Sequence, residues 1–331
     1  MTSFPRNLFN RRFLLGTFVI LLSIYIVFSY LMPLRHTRLS MFHTQPHRFV
    51  VFNRIPKCGS TSLVRIFETL SPRNKFRVIR FNTTNPHQFR SLVLHQAFVD
   101  EVTRSAVSTK LFVHGHFYYV NFRQFGVSSE YVYINCLREP LERLVSKYYF
   151  MRFGDDHRPK VIRSRMKNDT TRWQTFDDCV RLSGDDCDPR LLWVQIPFFC
   201  GTAAYCDVPG NRAALDTAKR RLVEDYLLVG TLDYFKEFVQ LLRHLLPDYL
   251  TGITSTMDLE IGGHPLWHLR KTQNKIPPRP ETLAVYQKSP IWQMEQEFFE
   301  FARAEFLARC RHLKQFLPNE TIWNTILIDV T

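Results

Sequence analysis

Glycine is scarce in this sequence, which contains 12 Gly and 18 Pro among 331 residues. That scarcity, together with the lack of an internal repeat, excludes a collagen-like or low-complexity architecture. Hydrophobic residues make up 45% of the chain and charged residues 22%, which excludes a mostly disordered protein. The composition predicts a folded chain that buries a substantial core.

Acidic residues are outnumbered, because 30 Asp and Glu stand against 44 Lys and Arg and give a formal net charge of +14. Arg6, Arg11 and Arg12 precede a long apolar segment, and without these three charges the rest of the chain still carries +11. The basic charge therefore belongs to the body of the protein. We expect that body to meet a long polyanion.

The long apolar segment runs from Phe13 to Met32, 20 residues without a charge. At about 1.5 Å per residue, a helix of this length crosses a hydrocarbon core of about 30 Å. A cleaved signal peptide would have a shorter apolar region and a small-x-small cleavage site, which is missing here. The arginines before the segment favour a cytoplasmic N-terminus, although Arg35 and Arg38 follow it closely.

The sequence thus predicts a single-pass type II membrane protein with four parts. These are a cytoplasmic tail (1–12), a signal anchor (13–32), a polar stem (33–46) and a lumenal domain (47–331). Acceptor sequences of the form N-x-T support a lumenal location, because N-glycosylation marks secretory domains. They begin at Asn82, Asn168 and Asn319.

Four of the seven cysteines lie within 28 residues, at Cys179, Cys187, Cys200 and Cys206. Their spacings of eight and six suit disulfides that close local loops in an oxidising compartment. A zinc site is the alternative, but neither pair has C-x-x-C spacing. Disulfides are therefore favoured, and the other three cysteines, Cys58, Cys136 and Cys310, are expected to be unpaired.

Short apolar runs alternate with longer segments of helical period, which is typical of an α/β domain with a mostly parallel sheet. Four runs rich in β-branched or aromatic residues are expected to form buried strands, at 49–55, 111–117, 131–137 and 226–232. Five segments have the period of amphipathic helices, at 60–70, 141–150, 213–225, 235–246 and 291–313.

The first predicted strand leads directly into Pro56-Lys-Cys-Gly-Ser-Thr61 and then a helix. Backbone N–H groups and Lys57 would converge at that helix N-terminus, an arrangement that binds anions. The loop is not a Walker A motif, because its lysine precedes the glycine. An ordinary strand-to-helix turn with a solvated lysine is the alternative.

A second basic residue, Arg138, stands directly after the predicted strand 131–137, and Pro140 opens a helix that carries Ser146. Ligands of open α/β sheets bind outside the carboxyl ends of the strands. Two strands that end in basic residues suit a ligand with two separated phosphates. The alternative for Arg138 is a structural ion pair with Glu139 or Glu142.

Between these strands lies a run with two histidines, His114 and His116, separated by Gly115. On a strand the two histidines would share a face, and Gly115 would leave space beside them. A neutral imidazole is a natural base for a hydroxyl near neutral pH. Core histidines and a metal pair are the alternatives, although no H-E-x-x-H motif or third ligand accompanies them.

Six stretches occur in order along the chain: NRIPKCGSTS, VHGHF, YINCLREPLERLVSKYYFMRFGDDHRP, IPFFCG, LLVG and HLRKT. In this combination they resemble the Golgi 2-O-sulfotransferases that act on uronic acids of glycosaminoglycans. The likeness extends from Phe49 to about Leu313. It implies a P-loop-like sulfotransferase fold, 3′-phosphoadenosine 5′-phosphosulfate (PAPS) as sulfuryl donor, no metal, and a homo-oligomer that is a trimer.

The resemblance also implies roles for individual residues. His116 would be the general base, His114 its supporting histidine, and Lys57 the catalytic lysine. The 5′-phosphosulfate would be held by Lys57, Cys58, Gly59, Ser60 and Thr61, and the rest of the nucleotide by Arg138, Ser146, Thr272 and Lys275. The sulfated sugar chain would be contacted by Arg54, Arg158, Arg163 and Arg270. The implied disulfides are Cys179–Cys187 and Cys200–Cys206.

Different stretches of the sequence resemble branches of the family that act on different acceptors. The branch of the family that acts on heparan sulfate carries Thr-Ala where this loop has Cys58-Gly59, and Cys-Gly is typical of the branch that acts on dermatan and chondroitin sulfate. In contrast, the stretches FGDDHRP and LRKT, nearer the sugar, resemble the heparan branch. We expect transfer to the 2-hydroxyl of iduronic acid in heparan sulfate, with dermatan or chondroitin sulfate as the alternative acceptor.

Other classes of protein fit the sequence less well. A nucleotide kinase would place Ser or Thr directly after the loop lysine, where this chain has Cys58. Nucleic-acid binding would explain the charge, but the anchor and the acceptor sequences predict a lumenal domain. A non-catalytic glycosaminoglycan-binding membrane protein would need the basic residues but not His116.

Overall fold

A five-stranded parallel sheet lies at the centre of the fold. Its strands follow one another along the chain as β1 (Phe49–Asn53), β2 (Phe76–Phe81), β3 (Lys110–Gly115), β4 (Tyr131–Leu137) and β5 (Tyr226–Thr231). In space their order is β2-β3-β1-β4-β5, and all four pairings are parallel. The α/β class and the parallel sheet predicted from the sequence are therefore confirmed.

Strands β1 and β5 are buried at every residue. Such continuous apolar strands are expected where helices cover a parallel sheet. The chain passes from β3 on one side of β1 to β4 on the other side. The strand order therefore reverses beside β1, and a ligand crevice is expected at the carboxyl ends of the strands at this point.

Ten α-helices accompany the strands in the described part of the chain. They are α1 (Ser60–Asn74), α2 (Leu92–Ala106), α3 (Pro140–Phe153), α4 (Phe176–Arg181), α5 (Gln195–Cys200), α6 (Arg212–Glu224), α7 (Phe235–Leu245), α8 (Pro247–Leu250), α9 (Pro280–Gln287) and α10 (Pro290–Lys314). Helices α1, α2, α6, α7 and α10 pack against the sheet. A short antiparallel pair, β6 (Glu260–Ile261) and β7 (His264–Pro265), lies outside it.

The computed structural model describes residues 47–82, 89–127, 131–155, 170–253, 260–261, 264–265 and 271–315. None of the helices in these ranges has the length and apolar character needed to cross a membrane. The predicted tail, anchor and stem lie outside the described residues, as do Asn168 and Asn319. Asn82 is described and exposed.

Two disulfides close short loops in the chain between α3 and α6. Cys179 is bonded to Cys187 and Cys200 to Cys206, which confirms both pairs that the resemblance implied. The first bridge belongs to a small core beneath α3, and the second belongs to the main core beside the sheet. Within the described residues, the cysteines left free are Cys58, Cys136 and Cys310, all of them buried.

The sequence predicted the central strands better than their ends and the sheet edge. Strand 131–137 has the predicted bounds, whereas 49–55 ends two residues early, at Asn53, and 111–117 is shifted to Lys110–Gly115. Strand β2 and helix α2 were not predicted. Strand β2 lies at the edge and exposes Arg77 and Arg80 among buried and partly buried residues, so it lacks the continuous apolar run that marks the buried strands.

Candidate active site

Three neighbouring strands end at one edge of the sheet with a basic residue or a histidine. The loop with Lys57 follows β1, His116 follows β3, and Arg138 follows β4. Since β1 pairs with both β3 and β4 in parallel, these side chains are brought together from positions up to 81 residues apart. The crevice expected from the strand order is therefore lined by cations and imidazoles.

The loop after β1 has an unusual backbone at two positions. Lys57 has φ of 69° and Gly59 has φ of 72°, a left-handed conformation that favours glycine. A Cβ atom on Gly59 would lie 2.7 Å from the Leu232 side chain, so glycine is required here for space as well. Gly59 is also the N-cap of α1 and supplies no side-chain cap. Helix α1 therefore directs its positive dipole end at the loop.

Lys57 touches two neighbouring elements. Its carbonyl oxygen accepts a hydrogen bond from Nη1 of Arg138 at 3.3 Å. Its ammonium nitrogen lies 4.0 Å from the centre of the Phe150 ring on α3, a cation–π contact. The loop and the residue after β4 are thus in direct contact, and the lysine side chain reaches α3 at Phe150.

Arg138 has the ion-pair partner that its sequence allowed, because its guanidinium donates to Glu142 at 3.2 Å. This pair does not exclude a ligand, since the Glu142 side chain is 61% exposed and that of Arg138 is 16% exposed. The carboxylate of Glu139 caps α3 by accepting from the amides of Leu141 and Glu142. The dipole of α3 is thus already compensated, and an anion at this strand end depends on side chains.

The segment that begins at residue 271 lies against α3. The hydroxyls of Ser146 and Thr272 are 3.1 Å apart and both are buried, and Thr272 forms a β-bridge with Asp155. Burial lowers the pKa of Lys275, and the positive charge of Arg138 lowers it further. Lys275 therefore lies near Arg138, and the structure brings together all four residues predicted for the far end of the nucleotide.

His116 is held by the backbone of Arg54, whose carbonyl oxygen lies 2.7 Å from Nδ1 of the ring. A carbonyl oxygen only accepts, so Nδ1 carries the hydrogen and Nε2 of the neutral ring is the basic nitrogen. Burial and then the nearby Arg54 charge lower the pKa of His116 to about 4, although the hydrogen bond to Arg54 opposes this. His116 is therefore neutral at pH 7 and able to accept a proton.

His114 lies deeper, on β3, and is buried. Its Nδ1 atom is 3.4 Å from Nη1 of Arg54, and because a guanidinium only donates, Nε2 carries the hydrogen. That Nε2 atom is buried without a hydrogen-bond partner among the described residues. Burial and the charges of Arg54 and Arg80 lower the pKa of His114 to about 3, so this ring is neutral too.

Arg54 connects the two histidines to the loop. Its Nη2 atom lies 3.4 Å from the hydroxyls of both Ser60 and Thr61 in the first turn of α1. Its backbone amide donates to the carbonyl of Gly115 at 2.7 Å and so extends the pairing of β1 with β3. One residue thus fixes His116 with its backbone and contacts His114 and α1 with its side chain.

The space that the sequence predicted beside Gly115 is absent. A Cβ atom at this position would lie 2.6 Å from the carbonyl oxygen of Phe81 on β2 and 2.9 Å from the ring of Phe117. The prediction of space was wrong, because the neighbouring strand and an aromatic ring fill it. Glycine is needed here for close packing of β2 against β3.

Cys58 is part of the loop but not of its solvent-facing surface. Its thiol is buried and lies 3.6 Å from Oε1 of Gln195. Burial raises the pKa of Cys58 to about 12, against the opposing charges of Arg143 and Arg138. The thiol is therefore protonated at neutral pH and does not act as a nucleophile.

Sequence reasoning missed three residues of the site. Arg80 pairs in register with His114 from the edge strand and lowers the pKa of both histidines. Phe150 contacts the Lys57 ammonium, and Gln195 binds the backbone of Arg138. No motif marks these positions, because each depends on pairing between distant segments. The predicted sugar contacts Arg158, Arg163 and Arg270 lie outside the described residues.

Positive charge dominates this site. It is surrounded by five cationic residues, Arg54, Lys57, Arg80, Arg138 and Lys275. Within the described residues no group of three or more His, Cys, Asp or Glu could hold a metal ion. Two anionic groups fit, one at the uncapped start of α1 and one at the end of β4. Beside the first lies a neutral histidine, so the arrangement can bind a doubly phosphorylated ligand and deprotonate a hydroxyl.

Comparison with known proteins identifies the class. Residues 40–248 match the sulfotransferase family, which covers more than half of the chain. The chain belongs to this family and is a sulfotransferase enzyme that depends on PAPS. The resemblance that the sequence motifs indicated is thereby confirmed.

Individual relatives are similar over most of the chain. It is 42% identical over 274 residues to the heparin sulfate O-sulfotransferase of Drosophila melanogaster, covering 83% of this chain and 76% of the relative. It is 44% identical over 257 residues to heparan sulfate 2-O-sulfotransferase 1 of Xenopus laevis and of Homo sapiens. Each of these alignments covers 78% of this chain and 70% of the relative.

Proposed function

We propose that this enzyme transfers a sulfuryl group from PAPS to the 2-hydroxyl of a uronic acid, mainly iduronic acid, in heparan sulfate. The observation that carries the proposal is the convergence of Lys57, His116 and Arg138 at the ends of three adjacent strands. The names of the relatives, heparan sulfate 2-O-sulfotransferases at 44% identity, support the acceptor.

The nucleotide would lie across the ends of β1 and β4. Its 5′-phosphosulfate would be held by the loop residues Lys57, Cys58, Gly59, Ser60 and Thr61, with Cys58 contributing backbone because its thiol is buried. Its 3′-phosphate would be held by Arg138 and Ser146, with Thr272 and Lys275 beside them. The fit rests on the uncapped start of α1 and on the second cluster of positive charge at Arg138 and Lys275.

The donor supplies an activated sulfuryl group bonded to a phosphate that leaves. This chemistry needs in-line positioning and charge stabilisation rather than a covalent group on the protein. Lys57 supplies a cation for the negative charge that develops on the leaving phosphate oxygen. The amides at the start of α1 support the same charge, because the helix dipole places its positive end there.

His116 removes the proton from the attacking hydroxyl through Nε2. Its Nδ1 is occupied by the Arg54 carbonyl, which fixes both the tautomer and the direction of the ring. General base catalysis of this kind contributes on the order of a hundredfold or more. His114 supports the base indirectly through Arg54. His114 contacts the guanidinium of Arg54, and the backbone carbonyl of Arg54 holds His116.

The acceptor chain would be gathered by positive charge. Arg54 contributes from the site itself, and Arg158, Arg163 and Arg270 are proposed to grip sulfate or carboxylate groups along the chain, where arginine binds bidentately. The +11 carried by the body of the protein attracts a sulfated polymer over a longer range. Binding is therefore expected to weaken as salt increases.

The experiment that tests the acceptor compares two polymers. The full-length protein is incubated with labelled PAPS and either N-sulfated heparosan-type chains or desulfated dermatan, and the products are digested to disaccharides. We expect label on 2-O-sulfated uronic acid from the heparan-type chain, with iduronic acid preferred over glucuronic acid. Predominant label in dermatan-derived disaccharides would contradict the proposed acceptor and assign the enzyme to the branch whose loop carries Cys-Gly.

We also propose a type II Golgi membrane protein with its catalytic domain in the lumen. Support comes from the charge-free segment 13–32 and from the acceptor sequences at Asn82, Asn168 and Asn319. Protease protection in sealed microsomes tests the orientation, and a shift in mass on treatment with an N-glycosidase tests the glycosylation. A homotrimer is proposed from the family resemblance alone, and sedimentation of the detergent-solubilised protein tests it.

A further inference from the structure

Gln195, the first residue of α5, is fully buried and its amide group is used on both sides. Its Oε1 atom accepts from the backbone N–H of Arg138 at 3.0 Å, and its Nε2 atom donates to the carbonyl oxygen of Arg138 at 2.9 Å. One side chain therefore pairs with both backbone groups of Arg138, the residue directly after β4. This fixes the direction in which the Arg138 side chain leaves the strand.

The same amide reaches the loop after β1. The thiol of Cys58 lies 3.6 Å from Oε1 of Gln195, and Nη1 of Arg138 donates to the carbonyl oxygen of Lys57 at 3.3 Å. Gln195 thus contacts the loop at Cys58 and the end of β4 at Arg138. It lies between the two strand ends that carry the two anion sites.

Gln195 is itself anchored from behind by Glu295 on α10. The buried carboxylate of Glu295 accepts from the backbone amides of Val194 at 2.9 Å, Gln195 at 3.3 Å and Ile196 at 3.1 Å. These amides would otherwise lack partners at the start of a helix. The long helix α10 thereby holds the start of α5 in place.

We infer that Gln195 is a positioning residue that sets the spacing between the two phosphate sites of the nucleotide, and that Glu295 holds it for this role. The inference rests on the proposed nucleotide site. Gln195 does not touch the ligand through a free polar group, because both of its amide atoms are engaged with Arg138. Its effect on a ligand therefore passes through Arg138 and the loop.

The spacing matters only for a ligand that occupies both sites at once. A 3′,5′-bisphosphate gains from both sites only when their separation matches its own, whereas a single phosphate can settle in either site alone. Loss of the Gln195 hydrogen bonds should therefore weaken the bisphosphate more than a monophosphate. General damage to the fold would weaken both alike.

The test replaces Gln195 by methionine, which keeps the length of the side chain and removes its hydrogen bonds. Calorimetry on the full-length protein measures the affinity for adenosine 3′,5′-bisphosphate and for adenosine 5′-phosphate. We expect the bisphosphate affinity to fall about 10-fold, which corresponds to about 1.4 kcal/mol, and the monophosphate affinity to fall less than about 3-fold. Hydrogen exchange at the Arg138 amide should also accelerate, since it loses its acceptor.

Gln240→Met is the matched control, because Gln240 is also buried but its Oε1 has no hydrogen-bond partner among the described residues. It should leave both affinities unchanged. If Gln195→Met does not fold, Gln195→Glu retains the acceptor and loses the donor to the Arg138 carbonyl, and the same selective loss is expected. Equal losses for both ligands, or no loss for the bisphosphate, would overturn the inference. If the wild-type protein itself fails to bind the bisphosphate, the proposed nucleotide site is wrong instead.

Discussion

The backbone carbonyl of Arg54 lies 2.7 Å from Nδ1 of His116 and accepts its hydrogen. This contact joins the end of β1 to the residue after β3, and it leaves Nε2 as the basic nitrogen of the ring. The side chain of the same arginine reaches the first turn of α1 and His114. The base and the anion-binding helix therefore share one support.

The first prediction concerns the pH dependence of the reaction. Burial and Arg54 lower the pKa of His116 to about 4, with a further lowering by Arg80. The acid limb of kcat/KM, which reports the free enzyme, should lie closer to pH 4 than to pH 6.5. Arg80→Ala should move that limb to higher pH, because a positive charge is removed. Arg77→Ala, the other exposed arginine of β2, is the control and should leave the limb in place. A wild-type limb near pH 6.5 would contradict a lowered pKa of His116.

The second prediction concerns stability in mild acid. Burial lowers the pKa of His114 to about 3, so near pH 5 the unfolded chain binds a proton at this position and the folded protein does not. The free energy of unfolding should therefore fall as pH falls from about 6.5 towards 4, by about 1.4 kcal/mol per pH unit from this residue. Denaturant unfolding of His114→Gln should show a slope that is smaller by this amount between pH 4.5 and 5.5. Parallel slopes for the two proteins would exclude a neutral buried His114.

The sequence predicted the parts of the site that follow buried strands. Lys57 and Arg138 stand where continuous apolar runs end, so the sheet rule alone placed them at one edge. It could not find Arg80 or Gln195, because one lies on a partly exposed edge strand and the other at the start of a six-residue helix. Their roles arise from pairing across 34 and 57 residues of sequence, which no local pattern encodes.

Interatomic distances decide between the alternative environments that the sequence allowed for Arg138 and Gly115. Arg138 has both of the predicted environments, since it pairs with Glu142 and also reaches the loop carbonyl of Lys57. The space expected beside Gly115 failed because an unpredicted strand, β2, packs there. The boundary errors share this origin, since strand ends are set by neighbouring strands rather than by local propensity.

The third prediction concerns the two phosphate sites. Lys57→Ala and Arg138→Ala should each weaken binding of adenosine 3′,5′-bisphosphate by about 10- to 100-fold, the value of a charge-assisted hydrogen bond. Lys110→Ala is the matched control. Lys110 is the first residue of β3, so it lies at the amino ends of the strands, away from the site, and it forms an ion pair with Asp248. Calorimetry measures all three affinities. If Lys57→Ala and Arg138→Ala both bind the bisphosphate with wild-type affinity, the nucleotide does not bind at the carboxyl ends of β1 and β4.

The fourth prediction concerns the smaller disulfide loop. The Cys200–Cys206 bridge joins cysteines six positions apart. Because it restricts the unfolded chain, it should add about 2 kcal/mol to the free energy of unfolding. The double variant Cys200→Ala, Cys206→Ala should unfold at correspondingly lower denaturant concentration. Cys310→Ala, which removes a buried unbridged thiol, serves as the control for lost packing alone. A double variant no less stable than this control would show that the bridge does not stabilise the domain.

The most direct test of the proposed function removes the general base, His116, and measures the sulfated product. Full-length wild-type protein and His116→Ala are given labelled PAPS and N-sulfated heparan-type chains, and binding to immobilised heparin is measured in parallel. We expect 2-O-sulfated uronic acid from the wild type, a loss of transfer of about a hundredfold or more in the variant, and unchanged heparin binding. Undiminished transfer by His116→Ala would contradict the assigned base, and heparin binding without any transfer by the wild type would identify a glycosaminoglycan-binding protein rather than an enzyme.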